Sequence, residues 1–289
     1  MTGPVRVDEA RPDPAAVRAL AAAAEETDGV APLSEPVLID LHESTGRHFL
    51  ATRDGTLVGY AHLGSEGAEL VVHPEHRRRG VGGRLLDALE AAGAELAWAH
   101  GRRPAALAFA AARGWTAVRT LWQLRRSLAE EIPEAPLPEG ITLRPFVPGR
   151  DEDAWVAVNA RAFAHHPEQG AWTARDVRLR EAEPWFDPAG FLLAVRADGS
   201  LAGFHWTKVH PGPPPIGEVY VLGVDPSAQG LRLGPALTVA GLRYLRDRGL
   251  ADVMLYVDDD NPAAVRLYQR LGFTEWDADV QFRRPWDAN

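Results

Sequence analysis

Apolar runs in this chain meet at an Asp-Gly pair twice, once at Asp54-Gly55 before "TLVGYAH" and again at Asp198-Gly199 before "SLAGFHW". Such pairs between apolar runs predict β-hairpins. Each hairpin is followed by a third strand that ends at proline, "AELVVHP" and "EVYVLGVDP". A glycine-containing loop and an amphipathic helix come next ("GGRLLDALEAAGAEL", "GPALTVAGLRYLRDRG"). Another strand ("ELAWAHG", "DVMLYVDDD"), a short helix ("RPAALAFAAARGW", "NPAAVRLYQRLGF") and a final strand ("QLRRSL", "QFRRPW") complete the series. Strands and helices so mixed predict an α/β (α+β) unit, used twice.

The matching segments keep their order, and their separation grows along the chain as loop insertions would make it, so the sequence carries an internal duplication. A length of 289 residues suits two domains of about 100–200 residues each. The Pro- and Glu-rich stretch "EEIPEAPLPEG" reads as an extended, solvated connector. The expected organisation is therefore an N-terminal domain over 1–129, a linker over 130–140 and a C-terminal domain over 141–289.

Composition narrows the partners. The formal charge of −9 disfavours a phosphate backbone, and no apolar run reaches the ~18 residues of a membrane span, so neither nucleic acid nor membrane is expected. The N-terminal sequence has no signal-peptide pattern, which predicts a cytoplasmic protein. A monomer is expected. With no cysteine, disulfides and thiolate metal sites are ruled out.

Between a strand and a helix the first half reads "RRRGVGGR", Arg77 to Arg84. Glycine lets the backbone approach a ligand, and successive N–H groups at a helix start suit phosphate oxygens. Strand, RxxGxG and helix in this order resemble the GNAT superfamily of acyl-CoA-dependent N-acyltransferases, which implies a mixed, splayed sheet flanked by helices in each half. Arg77, Gly80 and Gly82 match that loop. In the second half Gln229 and Gly234 match, but Arg232 stands where the first glycine belongs, and Pro235 follows the second.

The short helices differ in chemistry. Asn261 and Tyr268 stand in the second where Arg103 and Ala110 stand in the first. Seven residues apart, Asn261 and Tyr268 are expected on one helix face. The GNAT resemblance implies a carboxylate base on the strand before the loop, here Glu218, and Gly223 within that strand predicts a bulge. Tyr268 is the candidate acid. A first half without these groups is expected to bind CoA and not to react.

Beyond the superfamily, "GVAPLSE" (29–35), "HHPEQGAW" (165–172), "FHWTKVHP" (204–211), "EVYVLGVDP" (218–226) and "LYVDDDNPAAVRLYQRLGF" (255–273) resemble the mycothiol synthase family of tandem GNAT enzymes. That resemblance implies acetylation of the cysteinyl amine of cysteinyl-glucosaminyl-inositol, an amino-sugar thiol, by acetyl-CoA without a metal. It implies substrate contacts at Glu35, Glu168, Lys208, Glu218 and Tyr256. In the second half it implies CoA contacts at Leu222, Gly223 and Val224, at Gln229, Gly230, Leu231, Arg232, Leu233, Gly234 and Pro235, and at Asn261, Pro262, Ala263, Ala264, Val265 and Arg266. In the first half they fall on Leu70, Val71 and Val72 and on Arg78, Arg79, Gly80, Val81, Gly82 and Gly83. His165, His166, His205 and His210 cluster near the candidate site without a metal-ligand helix spacing, and are read as capped or core imidazoles. Alternatives are acetylation of another amine, such as an aminoglycoside or protein amino terminus, and a non-catalytic acyl-CoA sensor.

Overall fold

The computed structural model describes residues 3–285. The chain forms two compact units, one of Met1–Leu121 with Asp277–Asn289 and one of Trp122–Trp276. The first contains β1 (Arg6–Glu9), α1 (Pro14–Asp28), α2 (Glu35–Glu43), β2 (Arg47–Arg53), β3 (Thr56–Gly64), β4 (Gly67–Val72), α3 (Val81–Ala91), β5 (Leu96–Ala99), α4 (Pro104–Ala112) and the start of β6 (Thr116–Ser127). Its strand order is β1-β2-β3-β4-β5, with the end of the last strand, β12 (Thr274–Arg283), paired with β5 over Val280–Arg283. Asp54 and Gly55 both take left-handed backbone (φ 51 and 79), the geometry of a two-residue hairpin turn. Asp13 caps α1 by accepting from Ala15 N, and left-handed Gly29 ends it. The apolar stripe of α1, from Val17 to Ala24, packs with Tyr60 and Val71. That of α3 buries Leu85 and Leu89 against Phe49, Val58 and Ala61, each leucine contributing about 1.5–3 kcal/mol.

A buried polar chain crosses this unit. Glu69 on β4 accepts from Ser34 N (2.7 Å) and Ser34 Oγ (2.6 Å). His100 follows β5, with Nε2 3.1 Å from Glu69 and Nδ1 2.9 Å from Asp279 of β12. Burial alone would lower the His100 pKa, but the two carboxylates outweigh it and raise the imidazole to about 10.

The second unit holds the rest of β6, then β7 (Ile141–Pro145), α5 (Glu152–Ala162), α6 (Pro167–Gly170), α7 (Ala174–Glu181), β8 (Phe191–Arg196), β9 (Leu201–His210), β10 (Ile216–Val224), α8 (Leu233–Asp247), β11 (Asp252–Asp258) and α9 (Pro262–Arg270). Its strand order is β6-β11-β10-β9-β8-β7. Trp155 of α5 is fully buried among Phe191, Phe204 and Trp206.

These units depart from the boundaries expected at 129 and 141. The two final strands change places: Gln123–Ser127 belongs with the second unit, and Gln281–Arg283 with the first. Nor is the Pro- and Glu-rich connector merely solvated. Ile132 is buried in the second unit's core, Arg126 donates to the carbonyls of Glu130 and Glu131, and Glu134 pairs with Arg243 at 2.6 Å. Among the described residues no helix is long and apolar enough to cross a membrane.

Candidate active site

Strand β10 positions the site by leaving one neighbour halfway along. It pairs in parallel with β11 over Gly217–Val219, whereas its antiparallel ladder to β9 continues to Val224. The register slips between Val219 and Val221, which makes Tyr220 the extra, bulged residue. The backbone of Leu222, Gly223 and Val224 is thus paired on the β9 side while β11 diverges, which gives the splay expected of the sheet. In the first unit the β4–β5 ladder is reduced to Ala68 and Ala97, and Leu70–Val72 stand in the same relation to β5.

The bulge expected at Gly223 lies three residues earlier. Gly223 is in regular register with Phe204, and a Cβ there would come within 2.6 Å of the Phe204 ring. Close packing, not strand irregularity, requires this glycine.

Glu218 precedes the bulge and is buried, opposite Lys208 in the ladder. Its Oε2 lies 2.6 Å from Nε2 of His210. Burial pushes the carboxyl pKa up, but the hydrogen bond and charge of His210, with the charge of Lys208, prevail and hold it below the usual carboxylate range. Lys208 is also buried, with its ammonium 4.5 Å from the Trp185 ring centre and 5.0 Å from that of Tyr220. An ionised carboxylate beside an aromatic wall suits a cationic, hydroxylated ligand. Composition and motif left His210 without a link to Glu218. The link follows from the β9–β10 register, which places Lys208 opposite Glu218 and His210 two residues further along its strand.

Tyr268 sits on α9 in the apolar cluster that includes Val219 and Leu255, its ring 5.7 Å from that of Phe273. Burial raises its pKa to about 12, which keeps the phenol protonated. Asn261 plays a different part: it is the N-cap of α9, and its Oδ1 accepts from Ala264 N at 3.1 Å. The expectation that Asn261 and Tyr268 share a face of one helix therefore fails, because Asn261 precedes the first helical turn. In the first unit Arg103 occupies the cap position of α4 without a side-chain cap bond and pairs with Asp277.

Both glycine-containing loops share one backbone. Arg78 and Gly80 are left-handed (φ 59 and 80), as are their counterparts Gly230 and Arg232 (φ 83 and 60). Arg232 thus keeps the conformation that glycine has in the other copy and leads into the free N–H groups at the start of α8. Gly82 and Gly234 face equivalent partners, Phe109 with Val72 and Leu267 with Val224. Pro235 lies in the first turn of α8, so the second cradle has one N–H fewer than the first, where Gly83 holds that place. Left-handed backbone costs a non-glycine residue about 1–2 kcal/mol, against about 0.5–1 kcal/mol for the greater entropy of glycine. Arg232→Gly is accordingly expected to stabilise the protein by roughly 0.5–1 kcal/mol, read by denaturant unfolding. A loss of stability would show that the guanidinium contributes more than the strain it imposes.

Of the other residues singled out, Glu35 is the first residue of α2 and half-buried. Tyr256 lies on β11, its hydroxyl accepting from Gln123 Nε2 at 3.0 Å. The side chain of Glu168 lies outside the described residues. His205 is a core imidazole whose Nδ1 donates to Leu237 O at 2.7 Å, its pKa lowered to about 4 by burial. His166 pairs with Asp258 at 3.1 Å. In the first unit Asp40, His48 and His62 approach one another closely. There the Asp40 oxygens accept from Thr45 N and Oγ, Gly46 N and His62 Nε2, which accounts for about four acceptor positions of a carboxylate and ties the α2–β2 loop down.

Comparison with known proteins agrees with this geometry. The Acetyltransferase (GNAT) family model matches residues 156–273, and an Acetyltransferase (GNAT) domain model matches 44–117. A GCN5-related N-acetyltransferase structure from Sphaerobacter thermophilus is 29% identical, with a TM-score of 0.66 over 98% of both chains. A tandem GNAT protein from the clavulanic acid biosynthesis pathway shares the fold, with a TM-score of 0.71 at 20% identity over 96% of this chain and 98% of that one. The class is therefore a GNAT acetyltransferase with its domain in tandem. Mycothiol acetyltransferases of Salinispora arenicola, 57% identical over 94% of each chain, and of Thermomonospora curvata, 58% identical over 93% of each, are similar along their length. The chain belongs to the mycothiol acetyltransferase family.

Proposed function

We propose that this chain transfers the acetyl group of acetyl-CoA to the cysteinyl amine of cysteinyl-glucosaminyl-inositol, giving mycothiol and CoA. The observation that carries the chemistry is Glu218, a buried, ionised carboxylate one residue before the point where β10 leaves β11. In the reaction the amine nitrogen forms the new C–N bond at the thioester carbonyl and the C–S bond breaks. Glu218 takes the proton lost by the amine, directly or through water, and the thiolate of CoA receives one from Tyr268. Backbone N–H groups of Leu222–Val224 polarise the carbonyl, and the cradle from Gln229 to Pro235 holds the pyrophosphate. Glu35, Glu168, Lys208 and Tyr256 are proposed substrate contacts, and Asn261 to Arg266 further CoA contacts.

The first unit has the cradle from Arg78 to Gly83 and the open strand Leu70–Val72, but Ala110 stands in place of the tyrosine. It is proposed to bind CoA without turnover. We place the protein in the cytoplasm as a monomer. Mass spectrometry of protein, acetyl-CoA and the cysteinyl pseudodisaccharide should show the substrate gaining one acetyl group. An unchanged substrate mass would leave a CoA sensor, and acetylation of other amines in its stead would point to a different acceptor.

A further inference from the structure

His210 ends β9, and 32% of its side-chain surface remains accessible, against 8% for Glu218. Their 2.6 Å contact is short even for a charge-assisted hydrogen bond and occupies Oε2. Among the described residues, the other charged group facing Glu218 is Lys208, opposite it in the β9 ladder and stacked over Trp185 and Tyr220. On the β11 side the register partner of Glu218 is Met254, which carries no charge. His210 is the one in direct contact with the carboxylate. We propose that His210 is the positioning residue of the base: it holds Glu218 by Oε2, leaves Oε1 for the substrate amine, and sets the pH at which the base begins to work. This rests on Glu218 being the base. The balance of effects on Glu218 agrees, since burial raises its pKa and the bond to His210 is the largest effect opposing it. Without that bond, burial prevails and the carboxyl stays protonated to higher pH.

The test is the pH profile of kcat/KM for the amino-sugar in wild type and in His210→Gln and His210→Asn, with Glu218→Gln as reference. The acid limb in His210→Gln should move up by about one pH unit. Above that limb, activity should return to within a few-fold of wild type, and KM for acetyl-CoA should not change. His210→Asn, with a shorter donor, should shift the limb at least as far. Thermal unfolding of both variants should match wild type, because the imidazole lies at a strand end and is partly exposed. A loss of equal size at every pH, or an unshifted limb, with Glu218→Gln inactive, would overturn this inference alone. An active Glu218→Gln enzyme would overturn the base assignment and this inference with it.

Discussion

Glu218→Gln is expected to lower kcat/KM for the amino-sugar by about 10²- to 10⁴-fold, with acetyl-CoA binding and thermal unfolding close to wild type. Glutamine has the shape of glutamate and can still accept a hydrogen bond from His210, so the contact with the imidazole survives the change. What it cannot do is take the proton that the amine gives up. Tyr268→Phe is expected in the same range, because it removes the hydroxyl proposed as proton donor while leaving a ring of nearly the same volume against Phe273. Steady-state kinetics beside far-ultraviolet circular dichroism separate lost chemistry from lost fold. Near-wild-type turnover by either variant would remove that residue from the mechanism.

The two proposed catalytic side chains were legible for different reasons. Glu218 stands on a strand pattern followed by the loop motif, so its element could be read from sequence, and comparison of the repeats singled out Tyr268. The cap made by Asn261 was not legible: both an N-cap and a ligand contact call for asparagine before Pro262, and the bond from Ala264 N, which identifies the cap, uses Oδ1 and leaves Nδ2 for a ligand. The bulge was misplaced because glycine is compatible with either a bulge or close packing, and the Phe204 ring that requires Gly223 lies on a neighbouring strand. His210 depended on a register that a cross-strand pairing fixes and a linear motif does not. The exchange of final strands was hidden for a stronger reason. Two copies of one module have sheets of the same pattern, so "QLRRSL" and "QFRRPW" suit either, and local sequence does not record which each joins.

That exchange leads to the largest expected stability effect. Asp279→Ala should destabilise the protein by about 3–5 kcal/mol, the range for removing one partner of a buried ion pair. Asp279 reaches the first unit on β12 and accepts from His100 Nδ1 at 2.9 Å and Gly101 N at 2.8 Å. Its loss leaves an imidazolium with Glu69 as its remaining carboxylate in a buried site. The pH dependence should carry the same signature. The folded-state pKa of His100, about 10, lies above the usual histidine value near 6.5. The proton therefore stabilises the native state fully below about pH 6.5, and this contribution is lost as pH rises toward 10. In Asp279→Ala that alkaline loss should be smaller and complete at lower pH, because one of the two carboxylates raising the imidazole is gone. Urea unfolding from neutral to alkaline pH, with Asp279→Asn as a variant that keeps the shape and loses the charge, measures both effects. An unchanged alkaline limb in both variants would mean that His100 is a neutral imidazole in the native state. The last strand would then be held by hydrogen bonds to a neutral imidazole and to Gly101 N, beside its ladder to β5 and its apolar residues Ala278, Val280 and Phe282.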